Sequence, residues 1–189
     1  SAADSPVPVD VITGEEFRQN SSSDVQDMLR TNVPSVDVNT QPISDAATIV
    51  RPANMRGLSP DNVLVLVNGK RRHRGSIISF LGGGISDGAQ GVDISAIPSL
   101  ALKQVEVLRD GAAAQYGSDA IAGVINIVLK DAAEGGEVSA TYGANVTTMN
   151  GVPNLESVGI DANGDLAFTE GSDREVTDGQ TFTLRGNVG

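Results

Sequence analysis

The sequence predicts an α+β fold: a small mixed β-sheet with flanking short helices, followed by a β-hairpin-like extension. Three observations predict it. Short β-branched runs alternate with capped helical segments as far as about residue 134, and the run Val63–Val67 ends in Asn68-Gly69, the dipeptide that best tolerates a tight hairpin. After Gly135-Gly136 the chain changes to alternation of apolar and polar residues in two separated runs.

The elements follow in order. The prolines at positions 6 and 8 exclude a helix at the start, and the β-branched residues after them lead into a strand. Thr13 to Glu16 and Ser23 to Gln26 both have the spacing of a capping box, in which hydroxyl and carboxylate or amide satisfy unpaired backbone N–H groups. Behind the second box Val25, Met28 and Leu29 form one helical face, and Pro34 ends that helix. The continuous apolar run Val63–Val67 reads as a buried strand that turns back at Asn68-Gly69. From Phe80 to Gly91 five glycines interrupt every period, which predicts a long, mobile loop. Pro98 opens a short helical turn, and Gln104–Arg109 alternates as a half-buried strand with Val105 and Val107 on one face. Asp110-Gly111 turns the chain, Ala112–Tyr116 forms a small helix stopped by Gly117, and Val124–Leu129 is a further apolar strand.

The expected division is therefore a domain over residues 1–134 and an extension over 135–189, with strands at about 137–146 and 180–188 and a long acidic loop between them. Val138, Ala140, Tyr142, Ala144 and Val146 alternate with polar residues, as do Phe182, Leu184 and Val188. A run of about 10 residues suits a tilted strand crossing an outer membrane. The same periodicity also suits a soluble, half-buried hairpin.

Composition narrows the function classes. The chain has 189 residues, no cysteine, no tryptophan and a net charge of −11. Disulfide scaffolds and thiolate chemistry are excluded, and aliphatic side chains must supply most of the core. Residues 135–189 hold 2 basic against 8 acidic side chains and residues 1–134 hold 11 against 16, a balance that disfavours nucleic acid as a partner. The opening residues lack the basic and apolar blocks of a signal peptide, so any targeting segment is expected to have been removed. The glycines around Gly82–Gly91 form neither a dinucleotide-binding nor a Walker loop. Asp161, Asn163 and Asp165 lack the later glycine and carboxylate of a calcium loop and read as an acidic turn. His73 is the single histidine and lies in a basic run without an adjoining carboxylate, so no catalytic residue is assigned. The Asn145-Val146-Thr147 sequon carries no meaning in a bacterial barrel strand. No metal and no cofactor are implied.

Two long motifs point to one family. Val105-Glu106-Val107-Leu108-Arg109-Asp110-Gly111, then Ala114-Gln115-Tyr116-Gly117-Ser118-Asp119-Ala120-Ile121-Ala122-Gly123-Val124-Ile125-Asn126-Ile127, closely resemble the signature that ends the plug domains of bacterial TonB-dependent outer-membrane receptors. Met55-Arg56-Gly57 resembles the Arg-Gly element of those plugs, Val65-Leu66-Val67-Asn68-Gly69 their strand and turn, and Asp24 to Val36 their first helix. The resemblance implies a plug that fills a barrel, a nutrient such as an iron chelate, cobalamin or an oligosaccharide that docks from outside, and an energy-transducing TonB complex engaging a segment N-terminal to Ser1. It implies an outer-membrane location and no enzyme activity. A complete receptor needs roughly 22 strands, so a chain with two should be a fragment, not transport-competent alone, soluble when expressed by itself and prone to self-association through its exposed edge strands. The alternative is a free-standing soluble binding domain that reuses the plug fold.

Site candidates follow from the same reading. Arg56 and Arg109 match family arginines that form an ionic lock with barrel glutamates, and Gly57, Asn68, Gly69, Gly111, Tyr116, Gly117 and Gly123 match the structural motif. Phe80, Leu81, Asp87 and Gln90 lie on the loop that corresponds to the apex, where substrates dock. Lys70-Arg71-Arg72-His73-Arg74 is the basic cluster of an acidic chain and suits an anionic substrate, acidic groups on a barrel wall, or a plain solvated face.

Overall fold

The computed structural model describes residues 8–18, 22, 24–38, 50–80, 84–131, 134–151, 154–171 and 173–188. The chain divides into two compact units, residues 1–137 with 187–189, and residues 138–186.

The first unit is built on a five-stranded mixed sheet, ordered β1 (Val9–Thr13), β6 (Leu102–Leu108), β7 (Gly123–Leu129), β4 (Val63–Val67), β5 (Lys70–Arg71). The β4–β7 pair is parallel, with Val63 opposite Gly123 and Val67 opposite Ile127, and the other pairs are antiparallel. The unbroken apolar run of β4 is explained by burial on both faces. Val63 and Val65 pack with Val105, Val107, Ile125 and Ile127 against the α1 (Gly14–Arg18) and α2 (Val25–Asn32) side of the sheet, where Phe17, Met28 and Leu29 are fully buried. Leu64 and Leu66 pack on the opposite face with Val124, Ala112 of α3 (Ala112–Tyr116) and Ala120. Each fully buried large apolar side chain contributes about 1.5–3 kcal/mol, so the two layers together hold the sheet. Two short strands, β2 (Val36–Val38) and β3 (Ala53–Met55), form a separate antiparallel pair whose Val36, Val38, Ala53 and Met55 join the first core.

Local chemistry sets the boundaries. Thr13 and Glu16 form the expected capping box: the Thr13 N–H donates to Glu16 Oε2 at 2.7 Å and the Glu16 N–H donates to Thr13 Oγ1 at 3.3 Å. The second expected box, Ser23 to Gln26, falls partly outside the described residues. Asp24 is the N-cap of α2, accepting from the Gln26 N–H at 2.9 Å, while Ser23 lies outside the described residues. Gln26 is fully buried instead: its Nε2 donates to the Arg51 carbonyl, and the Ser95 hydroxyl donates to its Oε1 at 3.0 Å. A carboxamide whose groups are satisfied by distant partners has no need of the helix N-terminus.

Asn68 (φ 50°) and Gly69 (φ 73°) make the expected tight turn between β4 and β5. Asn68 also closes the end of the parallel ladder. Its N–H donates to the Ile127 carbonyl at 2.8 Å and its Oδ1 accepts from the Leu129 N–H at 2.8 Å. At the other end of the ladder Gly123 is required by close approach, since a Cβ there would lie 2.2 Å from Met55 Sδ and 2.6 Å from the Leu108 carbonyl oxygen.

Within the segment expected as a long loop, the described residues carry local hydrogen bonds and a 3₁₀ turn. Ser79 pairs with Gly88 and Ala89 through backbone bonds of 2.8 and 3.0 Å, and Gly84–Ser86 forms a 3₁₀ turn. Buried Ser86 donates to buried Asn54 Oδ1 at 3.0 Å. The glycines hide this order from a periodicity reading because the anchors are single contacts to a distant strand.

In the second unit β8 (Gly136–Met149) pairs with β11 (Arg174–Val188). These strands have 14 and 15 residues, longer than the ten or so expected. The connection, expected as a long acidic loop, carries two further strands. It contains β9 (Asn154–Ile160) and β10 (Leu166–Gly171), an antiparallel hairpin in which Ile160 faces Leu166 and Val158 faces Phe168. Acidic residues and glycines between those apolar pairs mask the alternation. The acidic turn at its tip is formed as expected: Asp161 Oδ1 accepts from the Asn163 and Asp165 N–H groups at 2.8 and 3.0 Å. These backbone donors hold the Asp161 carboxyl below the usual carboxylate range.

Two outcomes follow. Hydrogen bonds from the Thr13 backbone and hydroxyl hold the Glu16 carboxyl below its ordinary range, so an NMR titration of Glu16 should give a lowered midpoint that Thr13→Ala moves upward. Because the folded-state value is the lower one, the box stabilises fully above the ordinary glutamate range and loses that stabilisation as pH falls through the Glu16 midpoint. Asn68→Ala should cost about 1–3 kcal/mol in denaturant unfolding, through the left-handed backbone and the lost bond to Leu129.

Candidate functional site

Three features of the first unit collect the predicted residues. The Arg-Gly element is a tight turn after β3, with the Leu58 N–H bonded to the Met55 carbonyl at 3.0 Å and both Arg56 (φ 55°) and Gly57 (φ 69°) in the left-handed region. For arginine this conformation costs about 1–2 kcal/mol, so the surroundings must hold it. The Arg56 N–H donates to the Ser35 carbonyl at 2.9 Å, and its Nη1 donates to the Arg109 carbonyl at 2.9 Å.

Arg109 follows β6 directly and grips Asp10 of β1, with Nη2 at 2.9 Å from Oδ1 and Nε at 2.8 Å from Oδ2. Asp110 stands 3.8 Å from Arg56 Nη1. The structure thus brings Arg56 and Arg109 together at one end of the sheet, each half-exposed and each beside a carboxylate. Asp10 carries no local signal of this role in the sequence, whereas Asp110 adjoins Arg109. Gly111 (φ 66°) and Gly117 (φ 89°) bracket α3, and Tyr116 at its end lines a surface cavity of about 190 Å³ with Val9, Glu106, Leu108, Val124 and Asn126.

A polar seam runs from that cavity to the β4–β5 turn. Gln104 Nε2 donates to Glu106 Oε1 at 2.6 Å, Asn126 Nδ2 donates to Glu106 Oε2 at 2.9 Å, and the Gly69 N–H donates to Asn126 Oδ1 at 3.1 Å. The register places Glu106 opposite Asn126 on neighbouring strands, which sequence spacing alone does not show.

The predicted apical residues fall on the loop whose neck is the Ser79 and Ala89 pairing. Phe80 is 64% exposed, Asp87 is exposed after the 3₁₀ turn, and the Gln90 N–H donates to Asp61 Oδ1 at 3.2 Å. Leu81 lies outside the described residues. Exposed Ile78 and Ile85 accompany Phe80, so the loop presents apolar as well as polar groups.

The basic cluster is neither wholly free nor wholly paired. Arg71 pairs with Asp119, and its hydrogen bond and charge hold the Asp119 carboxyl below the usual range. Arg74 Nη1 is 3.5 Å from Asp61 Oδ1. Among the described residues, Arg72 and His73 have no ion-pair partner.

Within the second unit large apolar residues are exposed: Val138 is 77% exposed, Phe182 70% and Leu184 68%.

Residues 1–124 match the family described as TonB-dependent Receptor Plug Domain. Among solved structures, the chain is similar to the siderophore receptor PirA of Acinetobacter baumannii, at 29% identity over 75% of this chain and 19% of that one, with a TM-score of 0.52. It is also similar to a mutant ferric enterobactin receptor, PfeA, of Pseudomonas aeruginosa in complex with enterobactin, at 27% identity over 81% of this chain and 20% of that one, with a TM-score of 0.51. The ferric citrate transporter FecA in its unliganded form shares the fold at 17% identity, with a TM-score of 0.53 over 78% of this chain and 21% of that one. The chain spans about a fifth of the length of the receptors it matches. With its mixed sheet, its Arg-Gly turn and the match over residues 1–124, the chain belongs to the TonB-dependent receptor plug-domain family.

Proposed function

We propose that this chain gates and docks substrate for an outer-membrane active-transport receptor of a scarce nutrient, an iron chelate being the class that its structural neighbours' names favour. The plug-family match over residues 1–124 carries this reading. Further support comes from the second unit, whose outward apolar residues suit lipid on one face of strands β8 and β11. In this reading the plug occupies the lumen of its own β-barrel, the TonB complex engages a segment N-terminal to Ser1, and no chemistry is performed on the cargo.

Residue roles belong to the same proposal. Phe80, Leu81, Asp87 and Gln90 contact the nutrient at the apex. Arg56 and Arg109 form the ionic lock, exchanging their present carboxylate neighbours for acidic groups of the barrel wall, and Asp10 and Asp110 orient both guanidinium groups until then. Residues 1–134 act as the plug and 135–189 as the start of the barrel wall, and the exposed strand edges favour self-association when the rest of the barrel is missing.

The test is uptake by cells producing the complete receptor. Uptake of a labelled ferric chelate should stop when a protonophore collapses the proton gradient, and Phe80→Ala with Asp87→Ala should weaken binding by about tenfold or more. Arg56→Ala with Arg109→Ala should raise passive entry of a large hydrophilic antibiotic. Uptake that ignores the protonophore and all four substitutions would overturn the proposal.

A further inference from the structure

A cleft of about 330 Å³ lies where β5 leads into the apical loop, lined by Arg71, Arg72, His73, Arg74, Gly75 and Asp93. Both walls are held in place. On one side the Arg72 N–H extends the β4–β5 pairing by donating to the Val65 carbonyl at 2.9 Å, and the Gly75 N–H donates to the Gly91 carbonyl at 2.9 Å. Gly91 is itself wedged against Pro52, where an added Cβ would lie 2.0 Å from the proline Cβ. On the other side the Ser95 N–H donates to Asp93 Oδ1 at 3.1 Å, which fixes the carboxylate.

The distribution of charge is the informative part. Arg71 and Arg74 are tied to Asp119 and Asp61, which orients them and cancels their charge. Arg72 and His73 have no such partner among the described residues, in a chain whose net charge is −11. Asp93 lines the same cleft and makes no ion pair with any of the four basic side chains among the described residues. The cleft therefore offers an unpaired guanidinium and an imidazole as donors beside one carboxylate acceptor. A bare anion would use the donors and be repelled by Asp93, whereas a ligand with both an oxyanion and a hydroxyl group satisfies both.

We propose that this cleft is a binding site for a small oxyanion that also carries a hydroxyl group, with Arg72 and His73 receiving the carboxylate or phosphate and Asp93 accepting from the hydroxyl. The site is distinct from the Phe80 to Gln90 docking surface and does not depend on the transport reading.

The test uses the 189-residue chain in an uncharged detergent at about 20 mM ionic strength, where exposed charges are weakly screened. Malate, succinate and glycerol 3-phosphate are titrated by calorimetry and by ¹⁵N NMR. Malate differs from succinate by one hydroxyl, and glycerol 3-phosphate tests phosphate as the anionic group. Malate or glycerol 3-phosphate should bind with a Kd of about 1 mM or tighter and move the signals of Arg72 to Gly75 and Asp93, with succinate about fivefold weaker than malate. Arg72→Ala should weaken binding about tenfold, and Asp93→Ala should erase the difference between malate and succinate. Neither substitution removes an ion pair of the fold, and an unchanged amide spectrum elsewhere confirms that each variant is folded. Equal binding of malate and succinate to the unsubstituted chain, or signals moving at basic residues throughout, Lys103 included, would overturn the proposal. So would the absence of any response at about 10 mM ligand.

Discussion

Everything in the first unit depends on the parallel pairing of β4 with β7. A parallel ladder needs both faces covered, because neither strand has a polar side to offer water. Here one face takes α1, α2 and the β2–β3 pair, and the other takes α3 and the turn at Ala120. The ladder sits between β6 and β5, the latter covering β4 at Leu66 and Val67, with a further bond from the Arg72 N–H to the Val65 carbonyl. Its two ends are closed differently. Asn68 completes the hydrogen bonds at one end, while at the other Gly123 lets the Met55 thioether and the Leu108 carbonyl approach the backbone. The Arg-Gly turn and the start of α3 take their positions from that second end.

Much of this was legible in the sequence because it depends on local rules. The continuous run Val63–Val67 with Asn68-Gly69, the box of Thr13 and Glu16, the face of Val25, Met28 and Leu29, and Gly117 after α3 each carry their cause within a few residues. What was not legible joins positions far apart. Gln26 reads as a capping residue until Arg51 and Ser95 arrive to satisfy it, and the 3₁₀ turn at Gly84–Ser86 rests on Asn54, 32 residues upstream. The β9–β10 hairpin escaped for a different reason: acidic side chains and a glycine stand between its few apolar residues.

The same contrast holds for the site. Five consecutive residues from Lys70 to Arg74 look alike in sequence, yet their electrostatic states differ. Arg71 and Arg74 find carboxylates 48 and 13 residues away, while Arg72 between them finds none among the described residues. A linear charge count cannot separate a paired cation from an available one, because the distinction lies in which carboxylates the fold brings near each side chain. The pairing of Arg109 with Asp10 is of the same kind, set by the register that places Asp10 opposite Val107.

That register also gives β1 a mechanical character. It is an outer strand bonded to β6 alone, from Val9 opposite Leu108 to Thr13 opposite Gln104. Tension applied at its first residue and directed away from the sheet loads these bonds one after another, beginning beside the Asp10 and Arg109 pair, so a modest force peels the strand. Four residues past its end Phe17 is wholly enclosed by the core, and withdrawing that ring means exposing it all at once. Residues 9–17 are thus a tether with a soft section and a hard stop: it yields over one strand length and then transmits load to the centre of the first unit.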